Sequence, residues 1–373
     1  MRFLHTADWH IGKKLNGYDL LAEQEYIIDE FIQLALKEEV DAIVIAGDLY
    51  DRSVPSVEAV DLFNRKIKEL NLTHQLPVLA ISGNHDSSGR LAVGSEWFVA
   101  TDFFLSTDIA QALQPVEFLD TQFYLLPFFE PFAAELHFDE TLKSSGQAVA
   151  RVIEEMQKTF NPAKKQVLVS HFFVAGSLRS DSETQLEVGG LASVPLEILR
   201  PFDYVALGHL HNKEAIKDAH VQYSGALLKF STSEVHQEKG VYLVDTQKGQ
   251  REFIPLRPKN DLIEIKGLFT ELLEPTFYQQ INREAFVKVV LEDRQIIPNL
   301  MNQLRTVYPK ILSVERKQGV ATKQEFATYQ ERKQSPQELA RCFFTEMTEQ
   351  TLTNEQSQWL LAGIQQAKDE VGM

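Results

Sequence analysis

The chain has 373 residues, of which 44% are hydrophobic and 24% charged, with a net charge of −16. This is globular composition, long enough for roughly two domains at about 150 residues each, and it excludes a disordered or fibrous chain. The single cysteine, Cys342, excludes a disulfide framework or a cysteine zinc site within one chain, and the acidic balance opposes long-range attraction of nucleic acid.

The opening residues Met1-Arg2-Phe3-Leu4-His5-Thr6 turn polar too soon for a signal peptide. No apolar run approaches the roughly 20 residues of a spanning helix, so a soluble, cytoplasmic chain away from the membrane is expected.

In chain order, strands are predicted at 2–6, 42–46, 77–82, 122–127, 166–170, 204–207, 221–224 and 240–244. Most are continuously apolar and rich in β-branched residues, as strands buried on both faces are. Amphipathic helices are predicted at 20–40 and 56–70, the second following Pro55. Alternation of the two patterns predicts an α/β layered core over residues 1–260. The pattern then restarts, with strands at 262–266, 286–291 and 311–315 and a helix at 298–308, which predicts a small α/β cap. The cap and a polar linker over 317–333 make up residues 261–333. Residues 334–373 carry two capping boxes, Ser335-Pro336-Gln337-Glu338 and Thr353-Asn354-Glu355-Gln356, each opening a predicted helix. Apolar stripes follow both: Leu339, Cys342, Phe343 and Met347, then Trp359, Leu360 and Ile364.

Chemistry concentrates where five apolar runs stop: Asp8-Trp9-His10, Gly47-Asp48-Leu49-Tyr50-Asp51, Gly83-Asn84-His85-Asp86, Ser170-His171 and Gly208-His209-Leu210-His211. In α/β sheets, loops at the carboxyl ends of strands converge, so side chains distant in sequence can share one cleft. Imidazole with carboxylate suits manganese, iron or zinc. A carboxylate between two such ions, about 3.5–4 Å apart, would allow in-line phosphoryl displacement. Glycines 47, 83 and 208 are expected to permit sharp turns beside the ligands. Asp-x-His alone is a weak signal, and His171 alone is more often a packed histidine; the ordered set of five carries the inference. His5 is expected to be packed or supporting, and His74, His137, His220 and His236 have no assigned role.

This ordered set resembles the calcineurin-like metallophosphoesterase superfamily. Within it the chain is similar to the bacterial SbcD nuclease family, through residues 4–10, 202–211, 223–229, Ser233-Glu234 and Gly240-Val241. The resemblance implies that Asp8, His10, Asp48 and His211 hold one metal, and that Asp48, Asn84, His171 and His209 hold the other. Asp48 would bridge, His85 would act on the transferring phosphoryl or protonate the leaving oxygen, and Asp51 and Asp86 would orient histidines. It further implies manganese, 3′-to-5′ exonuclease and hairpin endonuclease activity in DNA replication, recombination and repair, and an SbcC-type SMC-like ATPase partner. A homodimer within a heterotetramer is implied too. Residues 334–373 are expected to bind the ATPase, because they follow a polar linker, carry their own capping boxes and present apolar stripes that two short helices cannot bury between themselves. Asp51-Arg52-Ser53 and the terminal Asp86 depart from the serine/threonine phosphatases of the superfamily, which carry Asp-Arg-Gly and a glutamate there, so a phosphate-binding role for Arg52 is open. The rival readings are a phosphoesterase for small substrates on the same site and a non-catalytic scaffold, which the complete ligand set disfavours.

Overall fold

Sixteen strands and their helices are laid out in a computed structural model that describes residues 1–178, 193–317 and 352–371. The strands are β1 (Arg2–Thr6), β2 (Lys14–Leu15), β3 (Tyr18–Asp19), β4 (Ala42–Ile45), β5 (Val78–Ile81), β6 (Phe103–Ser106), β7 (Val116–Phe118) and β8 (Thr121–Leu126). They continue as β9 (Lys165–His171), β10 (Tyr204–Gly208), β11 (Val221–Tyr223), β12 (Gly240–Asp245), β13 (Gln250–Pro255), β14 (Leu262–Gly267), β15 (Phe286–Leu291) and β16 (Ile311–Arg316). The short β2, β3 and β7, together with β6 and β13, are not among the predicted strands; in β13, exposed alternate positions dilute the apolar signal.

Two sheets form the core. One has the order β13-β12-β1-β4-β5-β6, the other β11-β10-β9-β8-β7. Strands β1, β4, β5 and β6 run parallel to one another, as do β8, β9, β10 and β11. The sheets face each other through Phe3, Val44, Leu79, Phe123, Val167 and Ala206. Their outer faces are covered by helices, which makes both faces of the central strands apolar and explains their continuous hydrophobic runs. Truncating a residue such as Phe123 in this interlayer should cost roughly 3–5 kcal/mol.

Helix α1 (Leu21–Lys37) buries Ile27, Ile28, Phe31 and Ile32 on one face. Helix α2 (Val57–Lys68) buries Leu62, Phe63 and Ile67, and its first turn is capped by the Ser56 side chain, which accepts from Ala59 N at 3.3 Å. Helix Ser145–Gln157 covers the second sheet with Val149, Val152 and Met156.

Strands β14, β15 and β16 form the small parallel sheet expected of a cap, with its own core around Leu272, Val289, Leu304 and Tyr308. This sheet belongs to the same compact unit as the core, residues 1–318. Leu262, Phe286 and Leu312 pack into the cluster that includes α1, and Tyr18 donates to Pro309 O at 2.9 Å. A second unit spans residues 319–373. Within it, helix Asn354–Val371 begins as the sequence indicates: Gln356 N donates to Thr353 Oγ1, and Thr353 N donates to Gln356 Oε1. The predicted linker beyond Lys317 and the predicted helix following Ser335 lie outside the described residues. No helix among the described residues is long and apolar enough to cross a membrane.

Candidate metal centre

All five motif segments leave their strands at the carboxyl edge. β1 runs out to Asp8 and His10, β4 to Asp48, β5 to Asn84 and His85, β9 ends on His171, and β10 leads to His209 and His211. Parallel pairing therefore brings the ligand-bearing ends of each sheet to one edge. The loops are laced together beyond the strands: Asp8 N donates to Gly47 O at 3.1 Å, and His10 N donates to Asp48 O at 3.0 Å.

Four of these residues are in left-handed backbone conformations: Asp8 (φ 53°), His10 (φ 44°), Asp48 (φ 51°) and His209 (φ 91°). Such strain costs on the order of 1–3 kcal/mol per residue and persists only where the surroundings enforce it. The glycine expectation needs correction. Gly47 does adopt a positive φ of 89°. Gly83 and Gly208 matter instead for close approach, because an added Cβ would fall 2.2 Å from Asp48 Oδ1 or 2.0 Å from Ala46 O.

Donor atoms gather around Asn84 and around His10, and a further group, His10, Asp51 and His85, also places its ligand atoms within 4.8 Å of one another. Around Asn84 Oδ1, His171 Nε2 and His209 Nδ1 each lie at 3.0 Å, and His171 Nε2 is 3.3 Å from Asp48 Oδ2. Around His10 Nε2, His211 Nε2 lies at 3.1 Å and Asp48 Oδ2 at 3.5 Å. Asp8, His10 and His211 present ligand atoms within 4.8 Å of one another, as do Asp8, Asp48 and His171. Asp8 is common to these two groups, and Asp48 Oδ2 lies 3.5 Å from His10 Nε2 and 3.3 Å from His171 Nε2, while its Oδ1 is pinned by the amide of His85 at 2.9 Å. The structure brings together every residue that the sequence analysis names as a ligand, with His85 beside them at a ring-centroid distance of 4.7 Å from His10.

The supporting contacts differ from expectation at Asp86, and at Asp51 it is the main-chain carbonyl rather than the carboxylate that holds a histidine ring. Asp86 accepts from the amides of Leu49, Tyr50 and Gly83 at 2.9–3.1 Å, so it shapes the two ligand loops rather than a histidine ring. Asp51 lies 3.8 Å from His10 Nδ1, beyond hydrogen-bond length, and takes Lys13 Nζ at 2.7 Å. His171 is instead oriented by Ala46 O, to which Nδ1 donates at 2.8 Å. His85 Nδ1 likewise donates to Asp51 O at 2.9 Å. His211 Nδ1 faces the carboxylate of Glu234 at 3.3 Å. Sequence reasoning assigns no role to Glu234; its complete burial is the signal, and burial of a lone glutamate is visible only in the fold. His5 is packed between the sheets, bonded to Tyr204 Oη and Leu207 O.

The electrostatics suit cations. Asp8 Oδ2 and His10 Nδ1 are buried and have no hydrogen-bond partner among the described residues. Burial pushes the Asp8 carboxyl up to about 6. Burial opposes charge on Asp48 as well, yet His171, His10 and His85 together hold it below the usual carboxylate range. Burial likewise opposes the charge on His171, but Asp48 outweighs it and raises the imidazole to about 9. Buried carboxylates and imidazoles that must otherwise share protons are the donor set that divalent ions satisfy, and carboxylate, amide oxygen and imidazole fit manganese, iron or zinc. A cavity of about 740 Å³ opens beside Asn84 and Asp86, lined by Phe128, Phe129 and His137. Another, of about 650 Å³, lies beyond Tyr50 and Arg52. Arg52 is mostly exposed and 3.6 Å from Asp51 Oδ2.

The chain matches the calcineurin-like phosphoesterase family over residues 1–213. Residues 258–348 match the type 5 capsule protein repressor C-terminal domain. Over 361 residues the chain is 36% identical to the SbcD component of the nuclease SbcCD from Staphylococcus epidermidis, covering 96% of each protein. Among solved structures it is similar to TT1561 of Thermus thermophilus, at 14% identity and a TM-score of 0.41, covering 69% of this chain and 99% of that one. It is also similar to a dimetal phosphatase from Danio rerio, at 13% identity and a TM-score of 0.38, covering 65% of this chain and 91% of that one.

Proposed function

Since the chain belongs to the SbcD family of calcineurin-like phosphoesterases, we propose that it is the DNA nuclease subunit of an SbcC–SbcD-type assembly, working in the cytoplasm with an SMC-like ATPase. It is a metal-dependent phosphodiesterase. The observation that carries the site assignment is the position of Asp48 Oδ2, 3.5 Å from His10 Nε2 and 3.3 Å from His171 Nε2. In this reading Asp8, His10, Asp48 and His211 hold one ion, Asp48, Asn84, His171 and His209 hold the second, and the resident metal is manganese.

When bound, two such ions supply Lewis-acid stabilisation and an activated water for in-line displacement. The chain's own residues hold and aim the donors: His85 Nδ1 is anchored on Asp51 O, so its Nε2 serves the phosphoryl oxygen or the leaving group. The ions also supply local positive charge to a chain of net charge −16, which offsets the acidic balance at the one place a phosphodiester must sit. The activities proposed are 3′-to-5′ exonuclease on duplex ends and endonuclease on single strands and hairpins, in DNA replication, recombination and repair.

Residues 1–260 would be the nuclease domain, 261–333 the cap and linker, and 334–373 the ATPase-binding segment. Two copies are proposed to pair within a heterotetramer. Leu72, Val93 and Trp97, each more than half exposed around one cavity, offer apolar surface that such pairing would cover. Purified protein with manganese should cleave a DNA hairpin far faster than an aryl phosphate. The reverse preference would point to a small-substrate phosphoesterase, and inactivity on both to a scaffold.

A further inference from the structure

Beside the candidate metal centre, buried charge occurs where the phosphodiesterase chemistry does not call for it. Glu234 is completely buried and Lys239 is 6% exposed. They form an ion pair of 2.5 Å, Lys239 Nζ to Glu234 Oε2. The other carboxylate oxygen faces His211 Nδ1 at 3.3 Å, and Lys239 Nζ also donates to the backbone carbonyl of His211 at 2.7 Å. Both ends of the pair therefore converge on one histidine, ring and main chain. Phe230 closes the space beside it, with ring centroids 5.6 Å from His211 and 5.4 Å from His10.

We propose that Glu234, held by Lys239, is a positioning residue that makes the His10–His211 metal site electronically distinct from the His171–His209 site. This rests on the ligand assignment under Proposed function. A carboxylate can only accept, so His211 Nδ1 carries the proton and Nε2, 3.1 Å from His10 Nε2, presents its lone pair. A carboxylate behind an imidazole also makes it a stronger donor. His171 Nδ1 donates instead to the neutral carbonyl of Ala46 at 2.8 Å, and Asp8 Oδ1, at 4.0 Å, is beyond hydrogen-bond length from it. The two sites thus differ in the group that accepts from a ligand histidine while sharing Asp48. A buried ion pair is weak evidence for stability, since desolvation offsets much of its attraction; a pair aimed at a ligand has a functional use for that cost.

The test is manganese binding to the full chain by calorimetry, together with electron paramagnetic resonance, which separates coupled from isolated manganese. Two ions on the wild-type chain verify the ligand assignment, and fewer than two would count against that assignment. In Glu234→Gln, one ion should bind as in wild type and the other about 10- to 100-fold more weakly. At intermediate manganese the coupled signal should give way to that of an isolated ion. The double variant E234Q/K239M removes both buried charges together, so that an unpaired lysine cannot itself disturb folding, and it should show the same selective loss. Equal weakening of both ions in the double variant would make the pair a general structural support. Wild-type affinity for both ions would remove Glu234 from any role through His211. Either outcome overturns the proposal.

Discussion

His10 Nε2 and His211 Nε2 face each other at 3.1 Å inside the protein, both rings buried. Two imidazole lone pairs at that distance repel unless a proton or a cation lies between them. Burial lowers the proton affinity of His10 far below that of a free histidine, with Asp48 opposing and His211 adding to the fall. Divalent metal is therefore expected to stabilise the fold. Added manganese should raise the unfolding temperature by several degrees, on the order of 2.7 kcal/mol at a hundred times the dissociation constant. Scanning calorimetry with and without chelator checks this; a midpoint indifferent to manganese would contradict a metal centre.

Asp48 Oδ2 lies within 3.5 Å of a histidine nitrogen of each proposed metal site. Asp48→Asn should weaken both ions together, whereas His10→Ala should mainly weaken one. Titration calorimetry with manganese reads the difference, and loss of a single ion from Asp48→Asn would move the bridge elsewhere.

His85 is expected to serve the reaction rather than the metals. Its amide pins Asp48 Oδ1 whatever the side chain, so His85→Gln should keep both ions. Cleavage should fall by about 100- to 10,000-fold, the usual contribution of a general acid or base. Elemental analysis of the variant checks the first half; a lost ion would place His85 among the ligands.

His5 supplies a pH dependence independent of the centre. Burial lowers its pKa from 6.5 to about 3, with the Leu207 carbonyl opposing. Above pH 6.5 the ring is neutral folded or unfolded and adds no pH dependence. As pH falls from about 6.5 toward 3, the unfolded chain takes up a proton that the folded chain refuses, so stability declines by up to about 1.4 kcal/mol per pH unit. His5→Gln should decline less steeply through that window in chelator, by about one proton. Equal slopes for the two proteins would mean His5 is protonated in the fold.

The C-terminal segment should dock on the ATPase. Helix Asn354–Val371 starts with its own capping box and leaves Trp359 66% exposed. An amphipathic helix laid in a partner groove is a common binding mode. Deleting residues 334–373 should preserve manganese-dependent cleavage of a simple DNA end while abolishing co-purification with the ATPase. An inactive truncation, or one that still binds the ATPase fully, would return the segment to the nuclease core.

Local chemistry in this chain is legible without the fold. Strands buried on both faces announce themselves as apolar runs, and ligand types placed where those runs stop name Asp8, His10, Asp48, Asn84, His171, His209 and His211. The Thr353 capping box marks a helix start because its hydrogen bonds close within four residues. What only the tertiary structure decided is what stands behind the ligands. Glu234 reaches His211 across 23 positions and Ala46 O reaches His171 across 125, and neither partner is marked by local pattern. Asp86 has the residue type of a histidine orienter, yet its carboxylate is taken by three amides that the folded loops bring to it. Gly83 and Gly208 read as turn residues but are needed because Asp48 and Ala46 from other strands press against them. Ligand identity is written in side-chain chemistry and spacing, whereas orientation and close approach arise from chain segments that meet only when the two sheets pack.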